Sequence, residues 1–405
     1  MAPTVLANSG RGGQRLDGVD LLRGLAIFFV LMNHVNMRLL IAKMPYTAGL
    51  PDQLVSSLVW NGQPGVQIFF AVSGFLITST SLRRWGSLPQ VSLSGFYVMR
   101  FARIAPLLLL LLGVLSVLHF AGLQHFVVSA KTGGLGRGLF AALTFHVNVL
   151  EARRGYLPGN WDILWSLSVE EMFYLFFPLV ARLFGRGRLF IALLLVFVSL
   201  GPFARTVFTH GNEVWKEYSY LGGMDAIALG CLTAMLVKRF RLSRIVLWML
   251  GIAGTALLIF SLCFSLQVGA WGLARIGLDM TVLAVGACMV IATVAQTNWK
   301  GPWVMRPLLN LGQRSYEVYL THMFVVFGLF QLFVLYGKPM RGVPGLFIVT
   351  IVAAGLLGEL VARFYSEPLN RLIRERWRGG KTTAVASSGV ASAVQEAAQK
   401  ADAGA

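Results

Sequence analysis

Few ionisable side chains interrupt the long apolar runs of this 405-residue chain, so those that do can be weighed one at a time. Arg23 and His34 stand close to three helical turns apart in the first run, which puts them on one face, about 16 Å apart along the axis. A histidine held neutral in a dry cavity can take the proton from a hydroxyl, or it can hydrogen bond a neighbouring helix. Arg23 serves equally as a cavity cation or as a marker of the membrane boundary. Glu170 and Glu171 close the stretch Trp165-Ser166-Leu167-Ser168-Val169 in a later run, at a depth resembling that of His34. Adjacent helical positions point about 100° apart, so one carboxylate should face a cavity and the other a neighbouring helix. A carboxylate beside His34 would fix its tautomer; the alternative is a pairing with a buried arginine.

Arg100 and Arg103, three apart before Pro106, form a cationic face suited to phosphate, from coenzyme A or equally from anionic lipid. Ser73 and Gly74 sit mid-run, where small residues permit close helix packing, and Ser73 is a poor candidate for a nucleophile. Ser315, Tyr316, Glu317 and Tyr319 give a late run an unusually polar start, and His322 follows as a cavity or helix-contact residue. Asp225 and Glu359 read as structural partners for arginines. Cys231, Cys263 and Cys288 lie in apolar segments without paired spacing, so neither a disulfide framework nor a metal site is expected.

The elements that must position these groups are membrane spans. Hydrophobic residues make up 56% of the chain and charged residues 13%, against roughly 25% charged in soluble domains. Apolar runs of the length a bilayer needs, about 20 residues, are expected near 20–40, 65–80, 97–119, 163–183, 188–207, 219–237, 245–267, 275–296, 315–336 and 344–364. The predicted fold is therefore all-α, a ten-span transmembrane helical bundle. The net charge of +18 falls between the runs, where lipid headgroups meet it, which argues against nucleic acid as a partner. Lys and Arg are about twice as frequent on one side as on the other, placing both termini in the cytoplasm. The segment 138–150 is apolar but short and reads as re-entrant or interfacial. Residues 1–15 are expected to form a cytoplasmic tail, 16–370 the transmembrane domain, and 371–405 a basic, then Ala/Ser-rich disordered tail.

Five of these motifs, in order, resemble the acyltransferase-3 family of integral membrane acyltransferases, from about Leu16 to Asn370. Leu16-Asp17-Gly18-Val19-Asp20-Leu21-Leu22-Arg23-Gly24 followed by His34 is similar to the family's opening Arg-x10-His signature. Gly65 to Phe75 resembles its second-span motif, and Arg100-x-x-Arg103-Ile104-x-Pro106 its R-x-x-R motif. Trp165-Ser166-Leu167-x-x-Glu170 and Ser315-Tyr316-x-x-Tyr319-Leu320-x-His322 resemble the two remaining stretches. The resemblance implies acyl transfer from acyl-CoA as co-substrate, with no permanently bound cofactor. It also implies that His34 is essential, that Arg23, Arg100 and Arg103 engage donor or acceptor, and that Glu170 is the functional carboxylate. Gly223 stands where members often carry a basic residue two positions before the aspartate matching Asp225, so Asp225 needs another partner.

The expected enzyme is a bacterial inner-membrane O-acyltransferase in which the first, second, third, fourth and ninth spans surround a polar cavity opening to the cytoplasm. Its acceptor would be a hydroxyl of a carbohydrate, glycolipid or small natural product. Some family members append a hydrolase-like domain, and this chain is expected to act without one. His34 would act as a direct base or become transiently acylated. A proton-coupled transporter using buried His and Glu is the rival from another class.

Overall fold

The computed structural model describes residues 15–377, and all regular secondary structure among them is helical. Ten helices are long and apolar enough to cross a membrane. They are α1 (Asp17–Ile41), α2 (Gly62–Trp85), α3 (Leu93–Phe120), α4 (Gly159–Phe184) and α5 (Arg188–Thr206), followed by α6 (Glu213–Arg239), α7 (Arg244–Cys263), α8 (Asp279–Thr297), α9 (Ser315–Leu335) and α10 (Met340–Trp377). Each coincides with one expected run, and an even number returns the two termini to the same side. The short apolar segment folds as two non-spanning helices, Gly134–Leu143 and Val147–Arg154. The last helix runs seven residues past the expected domain end at Asn370; the remainder of the C-terminal tail, like most of the N-terminal one, lies outside the described residues.

Local signals set several helix starts. The hydroxyls of Ser92 and Ser243 accept from the backbone N–H groups of Gly95 and Val246, satisfying donors that a helix start leaves unpaired, and Ser219 does the same for Gly222 where α6 breaks and resumes at Tyr220. Centre and periphery follow from side-chain chemistry: 67% of the most apolar stretch of α4 is buried within the protein, against 22% of that of α7. The α7 residues Ile245, Trp248, Met249 and Ile252 are all exposed and make a lipid-facing surface.

In a bilayer, where apolar burial gives little drive for helix association, close packing of small residues takes over. A Cβ on Gly74 of α2 would lie 1.9 Å from the Ile227 carbonyl oxygen of α6, and one on Gly230 of α6 would lie 2.0 Å from the Ala71 oxygen of α2. The two backbones are therefore in reciprocal contact. The same region is tied by a buried charge cluster. Asp225 of α6, with no exposure, receives Arg205 of α5 at 2.8 Å, Gln67 of α2 at 2.8 Å and Thr281 of α8 at 2.7 Å. Arg205 supplies the partner that Gly223 cannot. Glu359 likewise pairs with Arg314 at 2.6 Å.

Candidate active site

A cavity of about 390 Å³ lies among α1, α2, α3, α4 and α9, the five spans that carry the sequence motifs. Arg23, Ser73, Arg100, Arg103, Glu170, Ser315 and Tyr316 all line it. Arg84 at the end of α2 and Arg374 near the end of α10 join them, so five arginines face this space. It reaches the end of the bundle that carries both termini. Sequence reasoning treats Arg84 only as a topology marker and Arg374 only as part of a tail, because their convergence depends on how the helices pack.

One carboxylate organises the wall. Glu170 Oε1 accepts from Ser73 Oγ at 2.7 Å, Tyr174 Oη at 2.8 Å and an Arg100 terminal nitrogen at 3.1 Å. Arg100 also directs Nε to both Glu171 oxygens, at 2.9 and 3.2 Å, and its guanidinium lies 3.7 Å from the centre of the Tyr174 ring. Glu171 is nearly fully buried behind the wall and does not line the cavity. The adjacent carboxylates thus diverge as helical geometry requires, and a single arginine bridges them. The two arginines of the R-x-x-R motif have different roles: Arg100 is committed to carboxylates, whereas Arg103 is exposed and has no ion pair or hydrogen bond among the described residues. Arg103 is the one of the pair free to meet an anion. Arg23 keeps a 3.4 Å contact with Asp20, one turn back.

His34 is not on this wall, and Glu170 does not pair with it, so the expectation that a carboxylate fixes its tautomer is corrected. The backbone does so instead: His34 Nδ1 lies 2.8 Å from the Val30 carbonyl oxygen, which can only accept, so Nδ1 carries the proton and Nε2 keeps its lone pair. His322 is arranged in the same way on the Tyr319 carbonyl, at 2.7 Å. The two rings meet edge to face with centroids 4.9 Å apart. His34 is partly accessible, whereas His322 is fully buried and its Nε2 has no partner. The other polar residues of this stretch are structural, since Asn33 and Asn36 both donate to the Val59 carbonyl of the short helix before α2.

Tyr319 stands between cavity and imidazole pair. It lines the cavity, its ring centroid is 5.7 Å from that of His322, and its hydroxyl is held by Ser166 at 2.6 Å and by the Ile163 carbonyl at 3.0 Å. Sequence reasoning leaves Tyr319 as a motif position without a role, although its spacing of one turn before His322 is the signal that could have found it. Trp165 takes no part in the wall. It is buried flat against Tyr218, with centroids 4.1 Å apart, and braces α4.

Compared with known proteins, the chain matches the acyltransferase-3 acyltransferase domain over residues 16–359. It is similar to the O-acetyltransferase OatA of Staphylococcus aureus strain NCTC 8325, at 23% identity over 369 residues, covering 88% of this chain and 57% of that protein. The peptidoglycan O-acetyltransferase OatA of Listeria monocytogenes is 25% identical over 383 residues, covering 88% and 56%. The chain spans just over half the length of these curated relatives. No solved structure matches it.

Proposed function

This chain belongs to the acyltransferase-3 family, and from that premise we propose that it is a membrane O-acyltransferase moving an acetyl group from acetyl-CoA to a hydroxyl of a carbohydrate acceptor. The observation that carries the reading is the arginine-lined cavity, whose lining residue Tyr319 packs against His322, the ring that meets His34. With both termini cytoplasmic, the cavity opens where acyl-CoA is found. Arg103 binds a coenzyme A phosphate, since guanidinium forks match phosphate oxygens, and Arg84 and Arg374 add positive potential at the mouth. Arg100, held by Glu170 and Glu171, fixes the wall against which the pantetheine arm lies. The thioester reaches His34 when Tyr319 swings away from Ser166 and Ile163. His34 Nε2 then takes the proton from the acceptor hydroxyl while its oxygen attacks the thioester carbonyl. The C–S bond breaks, and the departing thiolate receives the proton from the imidazolium.

The test is transfer of label from radiolabelled acetyl-CoA into glycan, lipid and small-molecule fractions by membranes holding matched amounts of wild type, His34→Ala or Arg103→Ala. His34→Ala should remain folded and transfer nothing. Arg103→Ala should raise the KM for acetyl-CoA about tenfold, the loss of one charge-assisted contact of about 1.5 kcal/mol, with kcat within about twofold. Full transfer by His34→Ala would overturn the mechanism. Solute uptake driven by a proton gradient, without acetyl transfer by wild type, would instead assign the chain to transport.

A further inference from the structure

The last helix is longer than a membrane requires. Its 38 residues span about 57 Å at 1.5 Å per residue, against about 30 Å of hydrocarbon. The acyltransferase domain match ends at Glu359, yet α10 continues to Trp377 and returns to the arginine-lined cavity. Just past that boundary, Ala362–Ser366 form a π-helical turn. Pro368 gives the local reason, since it has no N–H to donate and its ring crowds the carbonyl of Phe364. In a regular α-helix Glu359 and Glu367 would point about 80° apart, but the extra residue that a π turn takes up brings them within about 20°. Both then reach one cation: Arg314 Nε lies 2.6 Å from Glu359, and a terminal nitrogen of the same guanidinium meets Glu367.

The π turn also docks on α3 beside the R-x-x-R motif. Tyr365 Oη donates to the Pro106 carbonyl at 3.1 Å, close to where Tyr316 of α9 donates to the Ile104 carbonyl at 2.9 Å. Farther along, Arg374 and Trp377 stand three apart and so share a face; both are half-buried, while Arg371, Glu375 and Arg376 are exposed. The Trp377 ring lies at the start of α3, 3.4 Å from where a Cβ on Gly95 would be. The extension is thus fixed at Arg314, Pro106 and Gly95, and it turns Arg374 into the space that Arg84 and Arg103 also line. The other two arginines of this wall already face carboxylates, Arg100 those of Glu170 and Glu171 and Arg23 that of Asp20. Three further guanidiniums around one opening suit a ligand with several phosphates, whose oxygens match their forked donors.

We propose that Arg374 is a specificity-determining residue for the donor: the end of α10, outside the matched acyltransferase domain, binds a phosphate of coenzyme A, and the π turn sets the rotation that aims it. The inference rests on the acyl-CoA reading and deepens it by adding to the donor site a segment that the domain itself lacks. A lipid phosphate would satisfy the same guanidinium, so the test removes that source. Purified full-length protein in nanodiscs of phosphatidylcholine alone is titrated with radiolabelled acetyl-CoA. Arg374→Ala should weaken binding about tenfold, and Arg374→Lys, which keeps the charge, should stay within about threefold of wild type. Adenosine 3′,5′-bisphosphate should displace the label from wild type. Inserting one alanine after Arg371 leaves the Arg314 and Pro106 attachments in place but turns Arg374 by about 100°. That variant should bind as weakly as Arg374→Ala although no arginine is lost, and the two changes combined should be no worse than either. Unchanged affinity after the substitution or the insertion would overturn the proposal, as would Arg374→Lys binding as weakly as Arg374→Ala or a bisphosphate that displaces nothing. A loss seen only once phosphatidylglycerol is added would also overturn it, by making the ligand a lipid headgroup. Wild type that binds no acetyl-CoA, in membranes that transfer no acetyl label, would instead sink the underlying acyl-CoA reading.

Discussion

Removing Asp225 should cost the bundle several kcal/mol, about 3–5, while leaving the arginine-lined cavity untouched. Its carboxylate has no exposure and receives three side chains, from Arg205, Gln67 and Thr281. Arg205 is 8% exposed and also donates to the Gly277 carbonyl at 3.0 Å. Asp225→Ala leaves that guanidinium buried without its counter-ion, a situation that costs about 3–5 kcal/mol. Replacing both partners by apolar residues of similar volume, Arg205→Met with Asp225→Leu, removes the charge altogether and should recover most of the loss. Equilibrium unfolding by SDS in mixed micelles would measure both variants and both single replacements as a double-mutant cycle, with an expected coupling of about 3 kcal/mol. A single variant within about 1 kcal/mol of wild type, or a double variant as unstable as the worse single one, would show that the cluster does not hold α2, α5, α6 and α8 together as described.

Two further outcomes follow from packing and burial. Gly74→Ala forces a methyl group into the Ile227 carbonyl, so it should lose about 3 kcal/mol, the upper end of the overpacking range. Gly345→Ala, which would meet nothing within 4 Å, should be neutral in the same SDS titration; equal effects would refute the contact. Glu151 binds its proton more tightly folded than unfolded, so the folded state holds more protons above the ordinary carboxylate pKa and stability must fall as pH rises through that window. Glu151→Gln should flatten this slope above the ordinary carboxylate pKa, and an unchanged slope would show that Glu151 does not titrate there.

The spans were legible in the sequence because lipid demands an apolar run of fixed length and tolerates few interruptions. Asp225 and Glu359 could be recognised as arginine partners for the same reason. What the sequence could not supply was which side chains converge. Charge counting places Arg205 among the outer-loop cations, whereas the fold turns it inward to Asp225, on the next span. His34 and Glu170 share a depth but not a contact, because depth along two helices says nothing about rotation about their axes. The imidazole partner is His322, 288 positions along the chain, brought in by the packing of α9 on α1. Glu151 lies in a short non-spanning helix and Asn160 in the first turn of α4, where periodicity says nothing of burial, so their burial was invisible.

The septum formed by Tyr319, Ser166, His322 and His34 has an electrical consequence. Where an aqueous cavity enters a membrane protein from one end, the membrane potential no longer falls evenly across the full thickness of the bilayer but concentrates over the layer beyond the cavity. An elementary charge crossing the whole drop is worth about 2.3 kcal/mol per 100 mV. A free ion or a continuous water file in that layer would turn the protein into a leak. The layer here is closed by hydroxyls and by imidazoles bonded to backbone carbonyls, groups that are neutral at rest. A substitution that opened the septum would be felt first as a cost to the cell's proton gradient.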